Sequence, residues 1–123
     1  MSVTTTPLSG QIGGNVVVDT TSDATAENDV RSGATTLYRV QIDNRNNSSA
    51  VYTKIWDAAA PTVGTTDPDW VIRCEASQRK TFVIKRGVGA TIATGLSFAT
   101  VTTGGTAGTT SPTNAVIVRL HTA

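Results

Sequence analysis

Residues 35–43 read TTLYRVQID, and their alternation sets the firmest limit on the fold. Tyr38, Val40 and Ile42 fall on one side of an extended chain and Arg39, Gln41 and Asp43 on the other, the pattern of a half-buried strand. Other short runs share this character: Ile12 to Asp19 (IGGNVVVD), Ala50 to Asp57 (AVYTKIWD), Trp70 to Glu75 with Trp70, Ile72 and Cys74 on one face, and Thr81 to Arg86 with Phe82 beside Ile84. Leu96 to Thr102 and Asn114 to Leu120 complete the set, the last with Val116, Val118 and Leu120 on one side. Turn chemistry separates them. NRNNSS at 44–49 accepts left-handed and Asx-turn geometry, so the strands on either side of it read as a hairpin. AAAPTVGTTDPD at 58–69 is broken by Pro61, Gly64 and Pro68, and GVGATIATG is a corner around Ile92. The expected fold is all-β, an antiparallel β-sandwich of seven or eight short strands, jelly-roll or immunoglobulin-like.

The chain of 123 residues suffices for one domain with one modest core. Hydrophobic residues make up 38% and aromatics 5%, so that core must be built mainly from Val, Ile, Leu and Ala. Nearly one residue in five is threonine, which is β-branched and suits strands. Residues 29–123 are expected to form the sandwich, and residues 1–28 a polar arm with one possible strand at about 12–19. Ser2 to Gly14 and Thr20 to Asn28 cannot alone offset their ordering entropy. Such an arm is either a frayed terminus or a strap that adds a strand to a partner's exposed edge.

A lone cysteine, Cys74, excludes an intrachain disulfide and is expected as a small buried hydrophobe; with the single His121 it leaves no zinc cluster. MSVTTTPLSG has neither a basic nor an apolar region of a secretory signal, so synthesis in a cytoplasm without export is expected, and no run matches a bilayer. A net charge of +1 gives no global field, so neither nucleic acid nor membrane is an expected partner.

Thr102 to Pro112 contains only small residues and proline, and by itself offers nothing to bury. It reads either as a solvated connection or as a loop ordered by a neighbouring chain. The end of the sandwich holding this loop and TTDPD is the expected interface. The residues expected to meet a partner are Thr103, Gly104, Gly105, Thr106, Thr109 and Thr110 in the loop, Asp67 and Asp69 beside it, and Thr4, Thr5, Thr6 and Ile12 in the arm. Arg79, Lys80, Lys85 and Arg86 join them, forming with Arg73 a local positive patch countered only by Glu75. Such cations also protect strand edges. Asp57, Asp67 and Asp69 are expected as turn formers, with no metal and no cofactor. Tyr52, Trp56 and Trp70 could line a carbohydrate shelf, though packing suits them better. No nucleophile motif accompanies His121, and an enzyme is not expected.

The order LYRVQIDNRNNSSAVYTKIWDAAAPTVGTTDPDWVIRC, a basic strand, then GVGATIATGLSFATVTTGGTAGTTSPTNAVIV resembles small β-sandwich proteins of tailed bacteriophage particles, particularly those of cyanobacterial and environmental phages. The resemblance runs from about Leu37 to Val118 and departs at the basic stretch Arg79 to Arg86. It implies a virion structural protein on the particle's outer surface, a capsid decoration or cement protein acting as a homotrimer on the major capsid protein. The alternative it implies is a tail, baseplate or fibre component binding host surface glycan.

Overall fold

The computed structural model describes residues 3–7, 14–84 and 89–123. Within them are ten strands and no helix, more strands than the seven or eight expected. They are β1 (Val3–Pro7), β2 (Asn15–Ser22), β3 (Glu27–Ser32), β4 (Thr35–Asp43), β5 (Val51–Asp57), β6 (Trp70–Cys74), β7 (Arg79–Val83), β8 (Ala90–Ile92), β9 (Gly95–Val101) and β10 (Val116–Thr122). One antiparallel sheet runs β1-β2-β10-β4-β7, with β8 also on β4; the second runs β3-β9-β5-β6. The two pack as a β-sandwich.

The segment read as a polar arm supplies β1, β2 and the start of β3. β2 lies between β1 and β10, with Val17 and Asp19 turned inward and fully buried. The corner around Ile92 is itself a strand, since β8 continues along β4 where β7 leaves off.

The expected hairpin across NRNNSS does not form. β4 pairs with β10, β7 and β8, whereas β5 pairs with β6 and β9 in the other sheet. The asparagines build an arch between sheets. The Asn44 side-chain amide is buried and donates to the carbonyls of Ser49 and Glu75 at 2.9 and 3.0 Å, while Asn47 donates to Asn44 Oδ1 and to the Asn114 carbonyl, each at 3.0 Å. Turn residues specify a reversal of direction but not the strand that will be met. Interior amides with every group satisfied then fix the arch.

A second departure concerns β4. Leu37 is fully buried and Tyr38 only half-buried, so Tyr38 does not share the face of Val40 and Ile42. The register against β10 skips one residue, from Arg39 opposite His121 to Leu37 opposite Thr122, and this bulge at Tyr38 exchanges the faces. Tyr38 packs instead against the His121 ring, with centroids 5.7 Å apart.

The core lies between the sheets. Val17, Leu37, Val40, Ile42, Val116, Val118 and Leu120 meet Val51, Ile55, Leu96 and Phe98, with Cys74 as the expected small buried group. At the β2 and β3 side the interior turns polar: Thr100 Oγ1 lies 2.8 Å from Ser22 Oγ and 3.0 Å from Thr53 Oγ1, and Asp19 and Glu27 are buried nearby.

Candidate functional site

β5 and β9 are buried on both faces, and the reason is the pair of long loops. Val51, Thr53 and Ile55 point into the sandwich, so Tyr52, Lys54 and Trp56 lie on the outer face, opposite Val101, Ala99 and Ser97 of β9. An outer face is ordinarily wet. Here Lys54, Ala99, Val101 and Ser97 are fully buried and Trp56 is 1% exposed.

The cover consists of residues 58–69 and 102–112. Lys54 Nζ donates upward to the carbonyls of Thr106 (3.0 Å) and Gly108 (2.7 Å), and the Trp56 indole donates to the Thr66 carbonyl at 3.0 Å. Tyr52 lies under Gly104, where a Cβ would come within 3.1 Å of the ring. At Gly108 a Cβ would strike the Thr103 carbonyl, so only glycine permits the loop to fold back so closely. Thr102 N–H donates to the Thr110 carbonyl at 3.0 Å and closes the base. Burial draws the Lys54 ammonium below the ordinary lysine range, since two carbonyl dipoles replace water less than completely.

Thr102 to Pro112 therefore does bury something: it roofs Lys54, the Tyr52 ring and the outer side of β9 opposite them, while residues 58–69 hold the indole of Trp56. Its small residues are what allow the backbone to lie flat on them. The TTDPD loop sits beside it, over the outer face of the second sheet rather than at the expected end of the sandwich, with Thr106 Oγ1 donating to Asp67 Oδ1 at 2.6 Å and Thr109 packed on Gly64. Thr106→Val keeps the shape and removes this link, and is expected to cost about 1 kcal/mol in urea unfolding, the ordinary net value of one hydrogen bond. Thr103, Gly105, Thr109 and Thr110 face outward on the same surface.

The remaining expected contact residues are dispersed. Thr4, Thr5 and Thr6 are exposed on edge strand β1, opposite Val18, Val17 and Val16 of β2. Asp69 Oδ2 accepts from the Asp57 N–H at 2.7 Å, and Asp57 in turn accepts from the amides of Ala93, Thr94 and Gly95, which hold its carboxyl below the usual range. These acids are occupied as turn formers, and no three metal-ligating side chains converge among the described residues.

The basic residues are shared between the two sheets. Arg73 belongs to the second sheet, bound to Glu75 at 2.9 Å and set over Tyr52; Arg79 and Lys80 belong to β7 of the first. Consecutive strands in sequence are not hydrogen-bonded to each other where the chain crosses between sheets, and β6 and β7 end at the edges of different sheets. Ile12, Lys85 and Arg86 lie outside the described residues. A carbohydrate shelf from Tyr52, Trp56 and Trp70 does not assemble either, because Trp56 is beneath the loops.

Sequence reasoning missed Lys54 as the organiser. The signal was present in GLSFATV, a strand with no charged residue on either face, which is the mark of burial on both sides. Comparison with protein-family models, curated proteins and solved structures finds no match to this chain.

Proposed function

We propose that this chain is a structural attachment protein of a bacteriophage particle, a decoration or cement protein that grips adjoining capsomers of the outer shell through the covered face of its second sheet. The observation that carries this reading is the loop 102–112, held from beneath by Lys54 and presenting threonine hydroxyls and methyls on a fixed backbone. A loop already ordered before contact loses little entropy on binding, so a small surface of Thr and Gly can hold a partner. The resemblance of LYRVQID through NAVIV to phage β-sandwich proteins supports the same class. A protein that binds only the assembled lattice lowers the free energy of that lattice by mass action, and a homotrimer would place three such faces on neighbouring capsomers.

The test is stoichiometry and add-back. Purified protein mixed with shells lacking it should saturate at a copy number on the order of hundreds per particle, as repeated lattice sites require. Densitometry of mature particles against the major shell protein should give the same ratio. A dozen copies or fewer would assign the protein to the tail, baseplate or fibre, where the glycan reading belongs.

A further inference from the structure

Among the described residues the sandwich is left open along one side, where the free edges of β6 and β7 face each other. Between them is a cleft of about 390 Å³ lined by Leu37, Val40 and Ile55 at its floor and by Trp70, Ile72 and Phe82 on its walls. Val71 and Val83, 41% and 70% exposed, are the large hydrophobic residues left in water among those described, and they lie on these two strands. Among the described residues each strand is paired on one side only, β6 with β5 and β7 with β4, so both offer main-chain groups unpaired there.

The carboxylate in the cleft lining, Asp69, is engaged by the Asp57 N–H at 2.7 Å, and the charge on the β7 rim has one sign. Arg79 and Lys80 are exposed and the strand carries no acid. Lys80 turns toward the cleft, its Nζ 5.1 Å from the centre of the Phe82 ring. Asp43, which stands opposite Arg79, is already engaged by Arg45 at 2.8 Å. An inward lysine also guards an edge against aggregation, but a guarded edge has no need of an apolar opening flanked on its two outer rims by exposed valines.

We propose that this cleft is a docking site for an extended, acidic segment of a partner protein. The segment adds as a strand to the free edge of β7, sets a carboxylate against Lys80 and Arg79, and seats an apolar side chain over Phe82. Main-chain hydrogen bonds supply affinity in this mode, while alternate side chains supply specificity. A second copy of the chain fits less well, because like cations would meet if this edge faced itself. The site meets the covered face at Asp69 and at Val71, which stands opposite Lys54, but its floor and its β7 wall lie apart from the loops, so its role does not depend on how the loops attach.

The experiment is selection on the intact protein from a displayed library of random peptides about twelve residues long, followed by anisotropy titration of synthesised, labelled winners. The expected winners alternate apolar residues with Asp and Glu, and bind at least about tenfold more weakly as salt rises from about 50 to about 500 mM. Val83→Asp and Lys80→Glu should each weaken binding at least about tenfold, with unchanged urea midpoints because both side chains are exposed, whereas Thr106→Val should leave binding intact. Failure to enrich any saturable binder, a basic consensus, or binders indifferent to Val83→Asp would overturn the proposal. So would wild-type self-association abolished by Val83→Asp, which would make a second copy the occupant. None of these outcomes touches particle stoichiometry.

Discussion

In Lys54→Met, the amides of residues 102–112 exchange with solvent nearly as fast as an unstructured chain, while those of β10 and β4 stay protected. The cause is a balance between two terms. The ammonium makes two hydrogen bonds to main-chain carbonyls, at 3.0 and 2.7 Å, and bonds to a charged group are each worth roughly 1.5–3 kcal/mol. Against this stands the cost, several kcal/mol, of holding an ammonium out of water with no carboxylate paired to it among the described residues, which methionine abolishes. The net loss in urea unfolding is therefore about 2 kcal/mol rather than the sum of both bonds. Its location matters more than its size. Without Lys54 the Thr106 and Gly108 carbonyls must find water, and the loop lifts to reach it, because its other anchors among the described residues lie at its rim: Thr106 to Asp67, Thr102 to Thr110, Ser111 Oγ accepting from the Ala24 N–H, Thr109 on Gly64 and Gly104 on Tyr52. Attachment to shells should weaken at least about tenfold, since the ordering entropy then falls on the binding step. Undisturbed exchange in Lys54→Met would show that the loop needs no support from below.

The period of two in TTLYRVQID and the turn residues between runs were enough to place most strands, because alternation reflects the immediate demand of one wet and one dry face. What they could not convey was partnership. NRNNSS reverses the chain equally well within a sheet or between sheets, and only the Asn44 and Asn47 amides, buried against carbonyls distant in sequence, decide which. The bulge at Tyr38 was equally hidden, since one skipped residue leaves the composition of β4 unchanged while exchanging its faces. The arm was misjudged for a related reason: DTTS looks too polar to order itself, yet Ser22 and Asp19 are interior once Thr100 and β10 are opposite them. For the site, the pairing of the small-residue loop with TTDPD was legible from their likeness. The lysine beneath them was not, because a lysine in a strand ordinarily signals solvent, and its burial depends on loops that begin at residues 58 and 102.

Between about pH 4.5 and pH 7 the protein is expected to become less stable as the pH rises, on account of Glu27. This side chain on β3 is 4% exposed, and Asp19 of β2 is fully buried, its Oδ2 without a hydrogen-bond partner among the described residues. Burial pushes the Glu27 carboxyl up to about 7 from its ordinary 4.5, with the charges of Asp19 and Asp23 adding to the effect. Burial raises Asp19 as well, partly relieved by the Thr21 N–H. A carboxyl whose pKa is higher folded than unfolded favours the fold while protonated, so its contribution is full below 4.5 and is lost as the pH climbs to about 7. At roughly 1.4 kcal/mol per unit the loss is on the order of 3 kcal/mol. Asp43 and Asp57 act in the opposite sense, held low by the Arg45 guanidinium and by the Ala93, Thr94 and Gly95 amides, but their contribution is lost only as the pH falls below their ordinary 3.8. The two windows do not overlap, and Glu27→Gln isolates the upper one. In urea unfolding the wild-type protein should decline across this window, while Glu27→Gln should match it near pH 4 and exceed it by about 2–3 kcal/mol near pH 8. A wild-type curve that stays level from about pH 4.5 to 7, with Glu27→Gln tracking it, would mean that the Glu27 carboxylate reaches water in the folded protein and that the β2 and β3 side of the sandwich is open.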